Sequence, residues 1–182
     1  MRNRSRYGKL TDDLTAELSG IVGEKNILST EGKEDYSRDE EPNARSFVPE
    51  AVVKPADSLQ VSKILTLANT HKIPVTPRGA GTGLSGGSVP VQGGIVLSTE
   101  RMNKILEIDE DNFSAYVESG VALQDLYPAV EARGLYYPLY PGEKSATMGG
   151  NVSTNAGGMR AVKYGVTRNF VLGWRPCSLP EK

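Results

Sequence analysis

The chain has 182 residues, 38% of them hydrophobic, with 21 basic and 22 acidic side chains and a formal net charge of −1. That length suits one domain, or one domain with a small extension, and is enough to bury a true core. The even charge balance excludes nonspecific nucleic-acid binding, which draws on a basic surplus; no apolar run approaches the ~20 residues of a membrane span, and a cleaved secretory signal is not expected because no apolar segment follows Met1.

The basic start (Arg2, Arg4, Arg6, Lys9) reads as a solvated tail. Leu10, Leu14, Leu18 and Ile21 recur at helical spacing behind Thr11 or Asp12, so a capped helix is predicted over 10–22. The polar stretch that follows reads mainly as loop, and the compact domain is expected to begin near Pro49. Ala51–Val53 reads as a short strand ended by Pro55. Asp57 or Ser58 then caps a helix through about His71, with Leu59, Ile64, Leu65 and Ala68 facing inward. Residues 73–76 form a second strand, and a β-α-β start predicts a right-handed parallel unit. Residues 94–98, 105–108 and 115–118 read as a meander of strands, and 123–133 as a helix stopped by Gly134. The expected class is α+β.

The chain has one cysteine, Cys177, and one histidine, His71. It can form no internal disulfide, which fits a reducing, cytoplasmic compartment, and a His/Cys zinc site would lack ligands, so no metal is expected.

Glycine is the more telling residue. Residues 77–94 hold seven and residues 142–165 hold six of the 20. Such clustering marks backbone at positive φ or backbone approached closely by something else. Gly81-x-Gly83-x-x-Gly86 spells the dinucleotide fingerprint, with Glu100 near the place of the ribose acid, but that motif needs a helix to open at the glycines. Here they run on into Gly87, Pro90, Gly93 and Gly94, which cannot start one. Gly83-Leu84-Ser85-Gly86-Gly87 also spells a nucleophile elbow, which again needs a following helix and a downstream histidine, whereas His71 lies upstream. Gly142-Glu143-Lys144-Ser145 ends like a P-loop, with Tyr137 where the first glycine belongs.

Two readings of the first cluster remain: a nest of amide donors for a phosphate, with Arg78, Thr82 and Ser85 beside it, or a tight connection between strands. The second cluster favours the nest. Residues 146–158 are small and polar and include no acid. Small side chains let a flat ligand lie against the backbone, and Thr147, Asn151, Ser153 and Asn155 offer hydroxyl and amide groups. Two such segments suit a long ligand with a phosphate middle and an aromatic ring.

Thr76-Pro77-Arg78-Gly79-Ala80-Gly81-Thr82-Gly83-Leu84-Ser85-Gly86-Gly87 closely resembles the pyrophosphate loop of FAD-linked oxidases of the vanillyl-alcohol oxidase/p-cresol methylhydroxylase type. Val117-Glu118-Ser119-Gly120-Val121 resembles that family's V-E-P-G-V segment, with Ser119 in place of proline. Residues 148–158, followed by Lys163-Tyr164-Gly165, resemble its second flavin loop. Within the family the likeness, running from about residue 26 to 173, is to the glycolate oxidase large-subunit and D-lactate dehydrogenase branch.

The resemblance implies an FAD domain of two α+β subdomains with the cofactor between them. It places Arg78, Gly79, Ala80, Gly81, Thr82, Gly83, Leu84 and Ser85 at the pyrophosphate. Pro141, Gly142, Thr147, Gly149, Gly150, Asn151, Ser153, Asn155 and Gly158 fall at the ribityl and flavin end. It also implies oxidation of a small 2-hydroxy acid by hydride transfer from C2 to flavin N5, with electrons passing on to a protein or quinone acceptor. The first loop carries no histidine, so FAD binding is expected to be noncovalent. A valine at position 81 is expected to intrude on the phosphates.

The expected divisions are an N-terminal helix and polar lead-in (1–48), an incomplete FAD-binding domain (49–173) and an atypical tail (174–182). Two prolines in that tail suit no central strand, and it reads as a truncated or frame-shifted end. No catalytic residue is assigned, and these 182 residues alone are not expected to turn over substrate. A noncatalytic nucleotide-binding module is the alternative.

Overall fold

Thr11 starts the first helix: its hydroxyl accepts the Leu14 amide, and Asp12 and Asp13 sit in the positive first turn of α1 (Asp12–Val22). Leu18 and Val22, one turn apart, are the residues it buries. The computed structural model describes residues 7–43 and 45–177; Arg2, Arg4 and Arg6 and the last five tail residues lie outside this range.

Strand β1 (Ile27–Leu28) pairs antiparallel with β2 (Ala51–Val53). The sequence pattern alone assigns residues 27–28 to no element, because two residues are too few for period-two alternation to register. Helix α2 (Ser58–Thr70) begins at Asp57, whose carboxylate accepts the Gln60 amide at 2.8 Å. Its buried face is Val61, Ile64, Leu67 and Ala68. Leu59, expected inside, is 64% exposed. It stands two residues ahead of Val61, slightly more than half a turn, and so points the other way.

Strands β3 (Val75–Arg78) and β4 (Ile95–Ser98) complete a sheet of order β1-β2-β4-β3, in which β4 runs parallel to both β2 and β3. Residues 94–98 therefore do not open a meander. Every residue of β2 and β4 is buried, the mark of a parallel strand covered on both faces. Each such Val or Ile contributes roughly 1.5–3 kcal/mol of burial. Parallel neighbours need a crossover of a dozen or more residues. Between β3 and β4 that crossover is the glycine-rich segment 79–94.

The first compact unit closes at Arg101, and a second runs from Met102 to Arg175. In the second, β5 (Ile105–Asp109) and β6 (Ser114–Val117) form an antiparallel hairpin. Helix α3 (Leu123–Glu131) buries Leu126 and Val130 beside Val121, with Ile105, Ile108 and Val117 packed on them. Helices α4 (Met148–Thr154) and α5 (Ala161–Tyr164) follow. The weak helix propensity of Gly149-Gly150 predicts a loop over 148–154. The ends decide otherwise. The Thr147 hydroxyl accepts the Gly150 amide at 3.3 Å, and Asn155 closes the helix in the left-handed conformation, φ 49°. No helix among the described residues is long and apolar enough to cross a membrane.

Candidate functional site

The first candidate segment leaves β3 at the carboxyl edge of a parallel sheet, where open α/β sheets bind ligands. Residues 79–94 contain neither helix nor strand. The dinucleotide fingerprint and the nucleophile elbow both lack the helix they require. Glu100 is not a free ribose acid either. Its carboxylate meets Lys54 Nζ at 2.7 Å and accepts from the Tyr36 hydroxyl at 2.8 Å and the Ser98 hydroxyl at 3.0 Å. Burial pushes its pKa up, but Lys54, Tyr36 and Ser98 outweigh that and hold it below the ordinary 4.5.

Among the described residues, no protein acceptor pairs with the backbone N–H groups of residues 79–85, nor with the Thr82 and Ser85 hydroxyls. Successive unpaired amides are the donor set an anion-binding nest requires. Arg78 is placed differently from expectation. It is only 8% exposed. Its Nη1 donates to the Arg38 carbonyl at 2.8 Å and the Ser88 hydroxyl at 3.3 Å, and Nη2 to the Asp35 carbonyl at 3.4 Å. The guanidinium lies 5.5 Å from the centre of the Tyr36 ring, and burial lowers its pKa. Gly81, at φ 78°, lies directly against it: a Cβ there would stand 2.8 Å from Nη1 and nearer still to Nη2. Bulk at 81 therefore meets Arg78 before any ligand.

In the second unit the candidates are held by close backbone packing. A Cβ on Gly149 would come within 2.8 Å of Ser119 Cβ, and the Gly149 amide donates to the Ser119 carbonyl at 2.7 Å. Ser119, the substituted position of the V-E-P-G-V segment, thus seats α4. Gly158, φ 130°, rests on Tyr140 and Pro141, where a Cβ would stand 2.6 Å from Pro141 Cα. Asn155 Oδ1 accepts the Arg168 amide, and the Ser153 hydroxyl turns back to the Gly149 carbonyl. Asn155 thus commits its carbonyl oxygen to the fold, and Ser153 its hydroxyl proton. Asn151 is 3% exposed, and among the described residues its buried Nδ2 has no protein partner. Buried orphan donors are rare and call for a ligand or water.

The donors fit a phosphate-bearing flavin nucleotide. The first segment offers unpaired amides and two hydroxyls, with the Asp39 carboxylate held on the adjoining Gly86 amide, and the second offers a buried amide donor among small residues. Among the described residues, no group of His, Cys, Asp or Glu could hold a metal ion. Asp39, Tyr36 and the Arg38 carbonyl, which shape the first segment, were missed by the sequence reading. Only the polar run around Tyr36-Ser37-Arg38-Asp39 marks them.

A family model described as an FAD binding domain matches residues 49–177. The chain is 51% identical over 162 residues to an uncharacterized FAD-linked oxidoreductase of Mycobacterium tuberculosis, covering 88% of this chain and 35% of the relative. It is 46% identical to a D-lactate dehydrogenase of Anaerostipes hadrus (91% of this chain, 35% of the relative). It is 45% identical to the glycolate oxidase subunit GlcD of Bacillus subtilis (90% and 35%). The chain thus spans about a third of the length of the curated relatives it matches. Among solved structures, an alkyldihydroxyacetonephosphate synthase shares the fold with a TM-score of 0.80 at 19% identity, covering 90% of this chain and 35% of that one. A p-cresol methylhydroxylase with substrate bound matches with a TM-score of 0.68 at 25% identity, covering 81% and 30%.

Proposed function

The chain belongs to the FAD binding domain family, and on that premise we propose that it forms the FAD-holding portion of a flavin-dependent 2-hydroxy-acid dehydrogenase or oxidase of the D-lactate or glycolate type. The observation that carries the reading is the run of seven backbone amides, 79–85, with no protein acceptor among the described residues, at the carboxyl edge of a parallel sheet. These amides hold the pyrophosphate, with the Thr82 and Ser85 hydroxyls beside them. Arg78 supports them from behind. Asn151 Nδ2 donates to the flavin end, and Gly149, Gly150 and Gly158 keep the backbone there bare of side chains. Binding is noncovalent, since residues 79–94 include no histidine.

When bound, FAD supplies the hydride acceptor for the C2–H of a 2-hydroxy acid. This chain's residues bind and orient, and the proton-handling groups are assigned to none of them. The names of the D-lactate dehydrogenase and glycolate oxidase relatives support the substrate class. The substrate is a small molecule, the electron acceptor a protein or quinone, and the compartment the cytoplasm.

A chimera tests this reading. This chain replaces the aligned segment of the Anaerostipes hadrus D-lactate dehydrogenase, and purified protein is assayed for bound flavin and D-lactate-dependent dye reduction. Both are expected. A folded chimera that carries no FAD would overturn the proposal.

A further inference from the structure

Residues 35–40 stand behind the glycine segment, and they precede residue 49, where the family match begins. They fasten the segment at several points. Asp39, only 7% exposed, accepts the Gly86 amide on Oδ2 at 2.8 Å, and its Oδ1 accepts the Glu41 amide at 3.2 Å. The Glu40 amide donates to the Gly83 carbonyl at 3.0 Å. The Arg38 and Asp35 carbonyls hold the Arg78 guanidinium that backs Gly81.

A buried carboxylate beside a loop that binds an anion opposes that anion by plain Coulomb repulsion. Its presence calls for a compensating role. The hydrogen-bond pattern supplies one. Asp39 takes the amide just past the free run and leaves residues 79–85 with their N–H groups unspent. The Arg78 guanidinium nearby supplies the balancing positive charge, which Asp39 in turn favours. We propose that residues 35–40 form a brace that presets the glycine loop for a phosphate-bearing ligand, and that Asp39 is its positioning residue. The brace acts by removing the ordering cost that a free glycine loop would meet on binding. This inference rests on the reading that residues 79–85 hold a pyrophosphate.

The test compares Asp39→Asn, which keeps an acceptor oxygen and loses the charge, with Asp39→Ala, which loses both. FAD and ADP affinities are measured by calorimetry, and ligand-free unfolding is followed alongside. Asp39→Asn should bind FAD within about threefold of the parent or more tightly, while Asp39→Ala should weaken FAD and ADP together by about tenfold or more, the scale of a lost charge-assisted hydrogen bond. Rescue by asparagine separates positioning by the acceptor from a role of the charge. Parent-like FAD affinity in a folded Asp39→Ala, or a loss in Asp39→Asn as large as in Asp39→Ala, would overturn the brace. Should Asp39→Ala fail to fold, Asp39→Asn decides alone: retention supports the brace, and about tenfold loss overturns it. A parent that binds neither FAD nor ADP would instead remove the reading on which the brace rests.

Discussion

Arg78→Ala separates two roles for a guanidinium at the edge of a phosphate loop: supporting the loop or touching the ligand. Its contacts with the Arg38 and Asp35 carbonyls and Ser88 lead us to expect support. Its one short bond, to the Arg38 carbonyl at 2.8 Å, is a charged donor's bond and is worth about 1.5–3 kcal/mol. The longer contacts, 3.3 Å to Ser88 and 3.4 Å to the Asp35 carbonyl, add roughly 0.5 kcal/mol each at most. The Tyr36 ring beneath the guanidinium adds about 1 kcal/mol. Burial opposes the charge, as the lowered pKa indicates, and offsets part of this sum. The net expectation is a loss of about 2–3 kcal/mol, with two backbone carbonyls left without their donor. For a chain of this size that is a fall in Tm of roughly 5–10 °C. Arg78→Lys should recover little of it, because an ammonium cannot fork between two carbonyls. The assay is thermal unfolding of ligand-free protein beside FAD titration. An unchanged ligand-free Tm with a large loss of FAD affinity would refute the support role and return Arg78 to the phosphates.

Tyr137 carries a buried hydroxyl with no partner among the described residues, so Tyr137→Phe should leave Tm unchanged or raise stability by up to about 1 kcal/mol; clear destabilisation would reveal a hydrogen bond the structure lacks. The same phenol is pushed up to about 12 by burial, so Tyr137→Phe should leave the phenolate absorbance gained by about pH 10.5 unchanged; a smaller gain in the variant would contradict its burial. Glu100 is held below its ordinary 4.5, so below that pH the folded chain binds fewer protons than the unfolded one. Its contribution is full above about 4.5 and is lost as pH falls through the folded-state value, so Glu100→Gln should flatten the acid limb of a Tm–pH profile, and an unchanged limb would count against the Lys54–Glu100–Tyr36 cluster. Thr147→Ala removes the cap of α4 and should cost about 1 kcal/mol, with faster hydrogen exchange at residues 150–154; unaltered exchange there would mean the helix does not depend on its cap.

Much of the fold was legible because it is local. The caps Thr11 and Asp57 and the apolar spacing behind them give α1 and α2 to within a residue or two. The unbroken Ala51-Val52-Val53 run gives a buried strand. The place of β4 was not legible, because its partners Val52 and Thr76 are distant in sequence and pairing follows no local pattern. Helix α4 was hidden by its own glycines, whose low propensity is overruled by Thr147 and Asn155 at its ends. The candidate site was legible as composition: glycine runs, small polar residues and no acid, together with a family resemblance. What sequence could not supply is which groups are already spent. The Ser153 hydroxyl proton and the Asn155 carbonyl oxygen, for example, are committed to Gly149 and Arg168. Asp39 looks like solvated lead-in until it is found on the Gly86 amide, 47 residues away.

The most direct measurement is an equilibrium titration of the chain with FAD, NAD and ATP, read both by quenching of flavin fluorescence and by the shift in Tm. A chain with a loop of free amides followed by no helix, and with a small-residue segment carrying the Asn151 donor, should give saturable FAD binding and a Tm shift well beyond those of NAD and ATP. An equal shift with NAD and FAD, or none with FAD, would contradict it.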